Sequence, residues 1–198
     1  MGHSQLDKQR THARIVDIAS RRLRENGIDG IGVADLMKEA GMTVGGFYKH
    51  FASRDELVAE AIDAAFEGYE QRLEARGIVP AELPFEDLVN SYLSPSHRDN
   101  PGEGCAFTAL SGDLARSDGK TREVATTRFR RNADMMSGRM KDGDPALARQ
   151  KALLATCAMA GAVAFARLVD DPALSEEILE TVRDGLLNMA GSGVPQTR

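Results

Sequence analysis

The chain has 198 residues, of which 42% are hydrophobic, 5% aromatic and 28% charged, and it contains no Trp. This length and composition suffice for one large or two small packed domains, and they exclude a disordered, collagen-like or repeat-array chain. The formal net charge is −5, yet residues 1–54 carry nine Lys or Arg against six Asp or Glu, while the remaining residues carry sixteen against twenty-four. A cationic amino-terminal part therefore precedes an acidic body.

No targeting, membrane or disulfide signal is visible in the sequence. The most apolar stretch, residues 153–169, is interrupted by polar residues and glycine, so it is too broken for a membrane span. The first residues lead into a charged helix rather than an apolar signal core, and we expect a cytoplasmic location with no membrane partner. Cys105 and Cys157 are far apart and the four histidines are scattered, which predicts reduced thiols, no metal site and no cofactor.

The first predicted element is an amphipathic helix over residues 5–26, which Gly27 ends. Its opposite face is basic, and we expect Arg21, Arg22 and Arg24 on that face to be simply solvated. The apolar positions at helical spacing are Ile15, Ile18, Ala19 and Leu23.

The stretch Val33–Phe51 reads VADLMKEAGMTVGGFYKHF and predicts two short helices joined by a tight turn. Gly41 tolerates the left-handed backbone that ends a helix, and Thr43 is placed to cap the next one. The predicted buried set on the second helix is Val44, Phe47 and Phe51, and the outward or leading set is Thr43, Gly45, Gly46, Tyr48, Lys49 and His50. Such outward residues suit a DNA backbone and groove; the alternative is a helical hairpin with a polar surface.

The run GMTVGGFYKHFASRDEL at residues 41–57, with ARIVDIASRRLRENGIDGIGV ahead of it, resembles the DNA-binding domain of the TetR family of transcriptional regulators. The matching features are the Glu25-Asn26-Gly27 helix end, the Ala40-Gly41-Met42-Thr43 turn, the Phe47-Tyr48 and His50-Phe51 pairs, and the acidic helix start after Ser53. The resemblance covers about the first sixty residues.

This resemblance implies an all-α fold of about nine helices, with an N-terminal three-helix helix-turn-helix domain and a C-terminal helical ligand-binding and dimerisation domain. Relatives often carry Ser or Thr at the position of Gly32 and Lys at that of Val44, so two backbone contacts are expected to be missing. The expected DNA-binding residues are Thr43, Val44, Gly45, Gly46, Tyr48, Lys49, His50 and Arg54.

A long helix is predicted to begin after Ser53 and to run to about Ala75, because Ser53 is a helix cap and acidic residues follow it. Pro80 and Pro84 then mark a linker. We predict a DNA-binding domain at 1–55, a ligand-binding and dimerisation domain at 56–190 and a flexible tail at 191–198.

The body begins with a short predicted helix, Phe85–Leu93, followed by a turn-rich stretch, a helix start at Cys105 and a charged helix over Thr121–Met140. Cys105 at a helix start favours a thiolate, although a free Cys is commonly a small buried hydrophobe. An apolar ligand pocket is one interpretation of the body's aromatic and sulfur-containing residues, and plain core is the other. The candidate ligand-binding residues are Phe85, Tyr92, Cys105, Phe107, Phe129 and Met136.

Two apolar helices close the chain, predicted at Ala146–Val169 and Leu174–Met189. The first is apolar on nearly every side and so must be covered all round. Paired with their copies in a second chain, the two helices are expected to form a four-helix dimer interface, as the family resemblance also implies. The candidate interface residues are Leu154, Ala158, Gly161, Ile178, Val182 and Leu186.

These features favour a ligand-responsive homodimeric transcriptional regulator, a repressor released from a near-palindromic operator by a small molecule, and not an enzyme. Its expected partners are double-stranded DNA, a second copy of itself and an inducer. The alternatives are a thiol-dependent enzyme or redox or electrophile sensor using Cys105, with His97 as base in the enzyme, and a helical scaffold that binds only protein.

Overall fold

The computed structural model describes residues 5–75, 77–79, 82–140 and 142–191, and within these ranges it is all-α, as predicted. The α-helices are α1 (Gln5–Asn26), α2 (Val33–Glu39), α3 (Arg54–Ala75), α4 (Phe85–Tyr92), α5 (Pro95–Asp99), α6 (Ala106–Arg116), α7 (Gly119–Ser137), α8 (Pro145–Leu168) and α9 (Pro172–Gly191). Short 3₁₀ helices occupy Val44–Lys49, called the 44–49 helix below, and Pro101–Glu103, called the 101–103 turn. The chain forms two compact units.

The first unit comprises residues 1–72 and 101–117, so a piece of chain distant in sequence returns to the amino-terminal helices. Its core is built from the apolar faces predicted for the first helices. The fully buried large side chains are Ile15, Leu23, Leu36, Met37, Phe47, Phe51 and Leu57, together with Leu110 from α6. The domain limits 1–55 and 56–190 remain a prediction.

The helix-turn-helix region forms with two local differences from the prediction. Gly41 has φ +69, the left-handed conformation expected at the end of α2. The second helix is a 3₁₀ helix, and the Thr43 side chain makes no cap hydrogen bond, so the predicted Thr43 cap is wrong. Val44 was predicted to be buried, and this prediction is wrong, because Val44 is 50% exposed at the start of that helix.

Arg24 has a structural role rather than the solvated one predicted from its basic neighbours. Its side chain is only 5% exposed, and it donates from Nε to the Gly102 carbonyl at 2.8 Å and from Nη1 to Ser20 Oγ at 2.9 Å. Burial, followed by the nearby Arg72, lowers the pKa of Arg24 to about 10, so the guanidinium stays charged at neutral pH. Arg21 and Arg22 pair with Glu39 at the protein surface.

Gly102 is the position where the 101–103 turn approaches α1 most tightly. A side chain there would place its Cβ 2.4 Å from Glu25 Oε1 and 2.8 Å from Arg21 Cγ. In α6, Asp113 accepts a hydrogen bond from the backbone amide of Ile28 at 3.2 Å. Residues 101–117 are therefore held to the first unit by Arg24 on one side and by Asp113 on the other.

The second unit comprises residues 73–100 and 118–198, with α8 packed against α7 and α9. Its core contains Phe85, Val89 and Leu93 near α4, Met136 and Met140 near α7, a row of small residues on α8, and Leu179 and Leu186 on α9. Arg167 donates to the carbonyls of Arg98 and His97, at 2.8 and 2.6 Å, and so fixes α5 against α8.

The α8 helix is long and apolar enough to cross a membrane by length and composition alone. Residues including Ala152, Ala155, Met159 and Val163 lie buried in the core of the unit, which is the environment of a core helix in a globular protein.

The helix bounds predicted for the body are close to those observed. Ser53 accepts the Glu56 amide at 3.1 Å and caps α3, which ends at Ala75 as predicted. The short α5 was missed because its sequence, Pro-Ser-His-Arg-Asp, was interpreted as a turn. The Pro80 linker position and tail residues 192–198 lie outside the described residues, and Gly191 ends α9.

Candidate nucleic-acid interface

The exposed side of the 44–49 helix is the candidate site. Phe47, at 1% exposure, anchors this helix in the core and packs against Phe51 with ring centroids 5.4 Å apart. Tyr48 next to it is 73% exposed, and Lys49 is also exposed. The helix thus has one buried side, which holds Phe47, and one exposed side, which presents the phenol of Tyr48 and the ammonium group of Lys49 to solvent.

The two glycines of the helix differ in their surroundings. Gly45 is exposed, and a Cβ at this position would meet nothing within 4 Å, so the fold does not require a glycine there. Gly46 is buried near the Met37 and Met42 methyl groups, each 3.7 Å from an added Cβ. Exposed Thr43 precedes the helix, and only Gly46 among the predicted contact residues is fully buried.

His50 is the C-cap residue of the 44–49 helix, and its ring lies near that of His12 from α1. Its Nδ1 is buried and has no hydrogen-bond partner. The ring of His12 lies 6.0 Å from that of His50, stacks on Phe51 at 4.5 Å and places Nε2 2.7 Å from Glu60 Oε2. Burial, then the charges of His12, Lys8 and Lys49, lower the pKa of His50, so its imidazole is a neutral group near pH 7.

Arg54 is a predicted DNA-binding residue, but its guanidinium group forms hydrogen bonds within the protein. It donates from Nη2 to the Ile28 carbonyl at 2.6 Å and from Nε to the Ile31 carbonyl at 3.2 Å. Both acceptors belong to the loop between α1 and α2. The observed contacts make Arg54 a brace for this loop.

The sequence profile of the family described as "Bacterial regulatory proteins, tetR family" matches residues 15–61, which include α2, the 44–49 helix and the start of α3. The chain belongs to the TetR family of transcriptional regulators. Its helix-turn-helix is therefore a DNA-binding element, and the 44–49 helix is the second helix of that motif.

Individual relatives agree with the TetR-family assignment. The chain is 28% identical to the HTH-type transcriptional regulator PksA of Bacillus subtilis over 113 residues, which span 54% of each chain and thus about half the length of that relative. It is 29% identical over 167 residues to the uncharacterized HTH-type transcriptional regulator Rv0196 of Mycobacterium tuberculosis, covering 80% of this chain and 84% of that one. The fold matches that of E. coli NemR in its reduced form with a TM-score of 0.70 at 20% identity, covering 90% and 96% of the two chains.

The six predicted ligand-binding residues are divided between the two units. Phe85 and Met136 lie in the core of the second unit, Tyr92 packs partly buried against that core, and Phe129 lies on α7 in the same unit. Cys105 and Phe107 belong to the first unit, where Phe107 contacts Phe66 with centroids 4.8 Å apart. Phe85 also lines a cavity of about 530 Å³, a size suited to small molecules. The other described residues that line it are Glu82, Leu83, Pro84, Glu86, Gly138, Arg139, Met140, Asp142, Leu187 and Ala190.

Cys105 is the N-cap residue of α6 and is partly exposed. Its charge interaction with Arg24 raises the pKa of that guanidinium, although burial lowers it more. The helix start considered at Cys105 is present, because α6 begins at the next residue, Ala106. His97, the base considered for a thiol enzyme, belongs to the second unit, where Nδ1 donates to the Tyr92 carbonyl at 2.7 Å.

The predicted interface residues lie on α8 and α9 with different exposures. Leu154 is exposed, whereas Ala158, Gly161, Ile178 and Val182 are partly buried. Leu186 is only 4% exposed and belongs to the core, because its turn of α9 faces α8 and α4 rather than solvent. Four further residues of these helices are exposed, namely Cys157, Phe165, Leu168 and Leu174. The i, i+3, i+4 spacing of Leu154, Cys157, Gly161, Phe165 and Leu168 identifies them as one face of α8.

Proposed function

We propose that the protein is a homodimeric repressor whose two recognition helices enter successive major grooves of a near-palindromic operator. The recognition helix in this proposal is the 44–49 helix. The observation that supports the proposal is that Phe47 of this helix is buried in the core, whereas Tyr48 and Lys49 are exposed to solvent. Lys49 supplies charge to a phosphate, Tyr48 a hydroxyl and a flat ring, and His50 a neutral N–H from Nε2. Thr43, Val44 and Gly45 form the leading edge, and buried Gly46 contributes through backbone position.

The cationic first 54 residues favour this end of the chain for the duplex, because Lys and Arg release counterions from phosphates. Arg54 acts indirectly in this proposal, by holding the loop before α2. The protein works in the cytoplasm, where the operator is accessible, and its action is binding rather than catalysis.

The dimer interface in this proposal is the exposed apolar face of α8 and α9. Phe165 and Leu168 are 60% and 74% exposed, which is unusual for large apolar side chains on neighbouring turns of one helix. A two-fold axis would cover this face with its own copy and give a four-helix arrangement. We place Leu154, Ala158, Gly161, Ile178 and Val182 in the interface with them, and leave out the buried Leu186.

The inducer in this proposal is a small molecule that binds the second unit. The candidate ligand contacts are Phe85, Tyr92, Phe129 and Met136. The cavity that Phe85 lines is the candidate binding site for the small molecule. Such a ligand lowers operator affinity only to the extent that it binds the DNA-incompetent arrangement more tightly. Cys105 and Phe107 remain candidates for transmitting the effect of the ligand to the DNA-binding helices, because α6 belongs to the same unit as these helices.

Selection of bound duplexes from a random DNA pool tests the repressor proposal. Full-length protein should enrich a sequence with two related half-sites whose centres are about one helical turn, roughly 10 base pairs, apart. Binding to that sequence should weaken steeply as salt rises, whereas a scrambled duplex of the same length should bind weakly throughout. Recovery of no enriched sequence would contradict the proposal.

A second candidate function is regulation through the Cys105 thiol. The cysteine is the N-cap residue of α6, is partly exposed and lies near the charge of Arg24, and reactive thiols are found in such partly exposed, electropositive surroundings. The structure of the fold relative NemR is described as a reduced form, so the redox state is specified for at least one protein of this fold.

The matched pair for testing this candidate is Cys105→Ser and Cys157→Ser. N-ethylmaleimide should release operator DNA from the unmodified protein and from Cys157→Ser, but not from Cys105→Ser. Unchanged DNA affinity in alkylated protein, with both thiols shown to be modified by mass spectrometry, would remove the candidate.

A further inference from the structure

Val44 is a half-exposed apolar side chain at the leading edge of the recognition helix. It is the first residue of that helix and is 50% exposed, whereas the next apolar residue of the helix, Phe47, is 1% exposed. The exposed Gly45 adds no side chain beside it, and Thr43 keeps extended backbone without a side-chain cap bond. The isopropyl group therefore faces whatever meets this end of the helix.

The chemistry of valine restricts what Val44 recognises on DNA. It has no hydrogen-bonding group for a phosphate or a base edge, so contact with a phosphate would only remove the latter from water. The major groove offers one apolar group, the C5 methyl of thymine, and small apolar side chains contact it. Only A·T pairs carry this methyl, so such a contact specifies sequence rather than position.

We infer that Val44 is a specificity-determining residue that packs against a thymine methyl in each half-site of the operator. The inference rests on the proposed function, because it presupposes that the 44–49 helix enters the major groove. It adds the class of base that this end of the helix selects. The neighbouring Tyr48 and Lys49 supply contacts that Val44 does not replace.

The test removes the methyl group from the DNA and the isopropyl group from the protein, separately and together. Each thymine of the selected operator is replaced in turn, in both half-sites, by deoxyuridine, which lacks only that methyl. Affinities are measured by fluorescence anisotropy at one salt concentration. At one position the replacement should weaken binding by about fourfold per half-site, the effect of burying one methyl-sized apolar group.

Val44→Ala should weaken binding of the thymine operator by a similar factor and should be indifferent to deoxyuridine at that same position. Val79→Ala, a change at a valine that is also 50% exposed but lies in the second unit, is the matched control and should retain full sensitivity. Because Val44 is exposed, its truncation should leave the thermal midpoint unchanged.

The inference is overturned if no thymine methyl affects binding, or if Val44→Ala loses as much affinity on deoxyuridine substitution as the unmodified protein does. Failure of the proposed function is distinguishable from both results. In that case the protein would select no specific duplex from the random pool, whatever residue stands at position 44.

Discussion

At the scale of single residues, His97 shows how burial makes the fold sensitive to pH. Its Nδ1 donates to the Tyr92 carbonyl, and its ring meets the Tyr92 ring edge-on at 4.5 Å. Burial lowers the pKa of His97, the hydrogen bond to Tyr92 opposes this, and the charge of Arg167 lowers it further. The pKa of His50 is lowered as well, again chiefly by burial.

A lowered native pKa means that the unfolded chain binds these protons more readily than the folded one. The stabilisation is complete above the ordinary His pKa of about 6.5 and is lost as pH falls through the native values. We expect the free energy of unfolding to fall between pH 7 and pH 5, by up to about 1.4 kcal/mol per pH unit for each proton taken up. His97→Gln should reduce this slope in urea titrations, and an unchanged slope would contradict the assignment.

The residue type of an arginine does not show whether its side chain is solvated or buried. Arg21, Arg22 and Arg24 look alike in sequence, yet Arg24 alone of the three is buried and bonded to Gly102. That acceptor is 78 residues away in the chain, so no local pattern points to it. Val44 is the converse case, because its apolar character predicts the core while its place at the start of a short 3₁₀ helix leaves it exposed.

At the scale of elements, α8 combines a core side with an exposed apolar side. Ala152, Ala155 and Val163 are fully buried, whereas Phe165 and Leu168 are exposed. A single folded chain rarely leaves such an apolar helix face exposed to water. The exposed side of α8 therefore predicts that another protein surface covers it. The proposed partner is α8 of a second copy.

We expect Phe165→Glu to give a folded monomer, because the new charge would be trapped in an apolar interface while the monomer core is untouched. Sedimentation velocity at micromolar concentration should show a dimer for the unmodified protein and a monomer for the variant. Leu6→Glu, at a residue of similar exposure on α1, is the control and should remain dimeric. A dimeric Phe165→Glu would place the interface elsewhere.

Elements were predictable from sequence where periodicity and local caps decide the backbone. The bounds of α1 follow from its apolar period and Gly27, and the start of α3 from Ser53, because these signals act within a few residues. The 3₁₀ form of the 44–49 helix and the short α5 were not predictable. In both cases tertiary packing, around Phe47 and around Arg167, selects among turns that the local sequence permits equally.

At the scale of the whole molecule, the division into units does not follow chain order. Residues 101–117 join the amino-terminal helices through Gly102 and Asp113, although composition assigns them to the acidic body. Charge asymmetry predicted that one end binds a polyanion, and the TetR-family assignment agrees with it. The candidate surface was largely predictable, because it rests on one compact motif. The candidate ligand-binding residues were chosen by residue type alone, and they lie in both units.

We expect the exposed side of the recognition helix to bind a specific duplex. The direct measurement is the affinity of full-length protein for its selected operator at fixed salt, compared with Tyr48→Ala, Lys49→Ala and the exposed control Glu82→Ala in the second unit. We predict that each of the first two changes weakens binding by about tenfold, equivalent to about 1.4 kcal/mol, at unchanged thermal stability. The control should bind like the unmodified protein. Equal affinities for all four proteins would show that this side of the helix does not bind the operator.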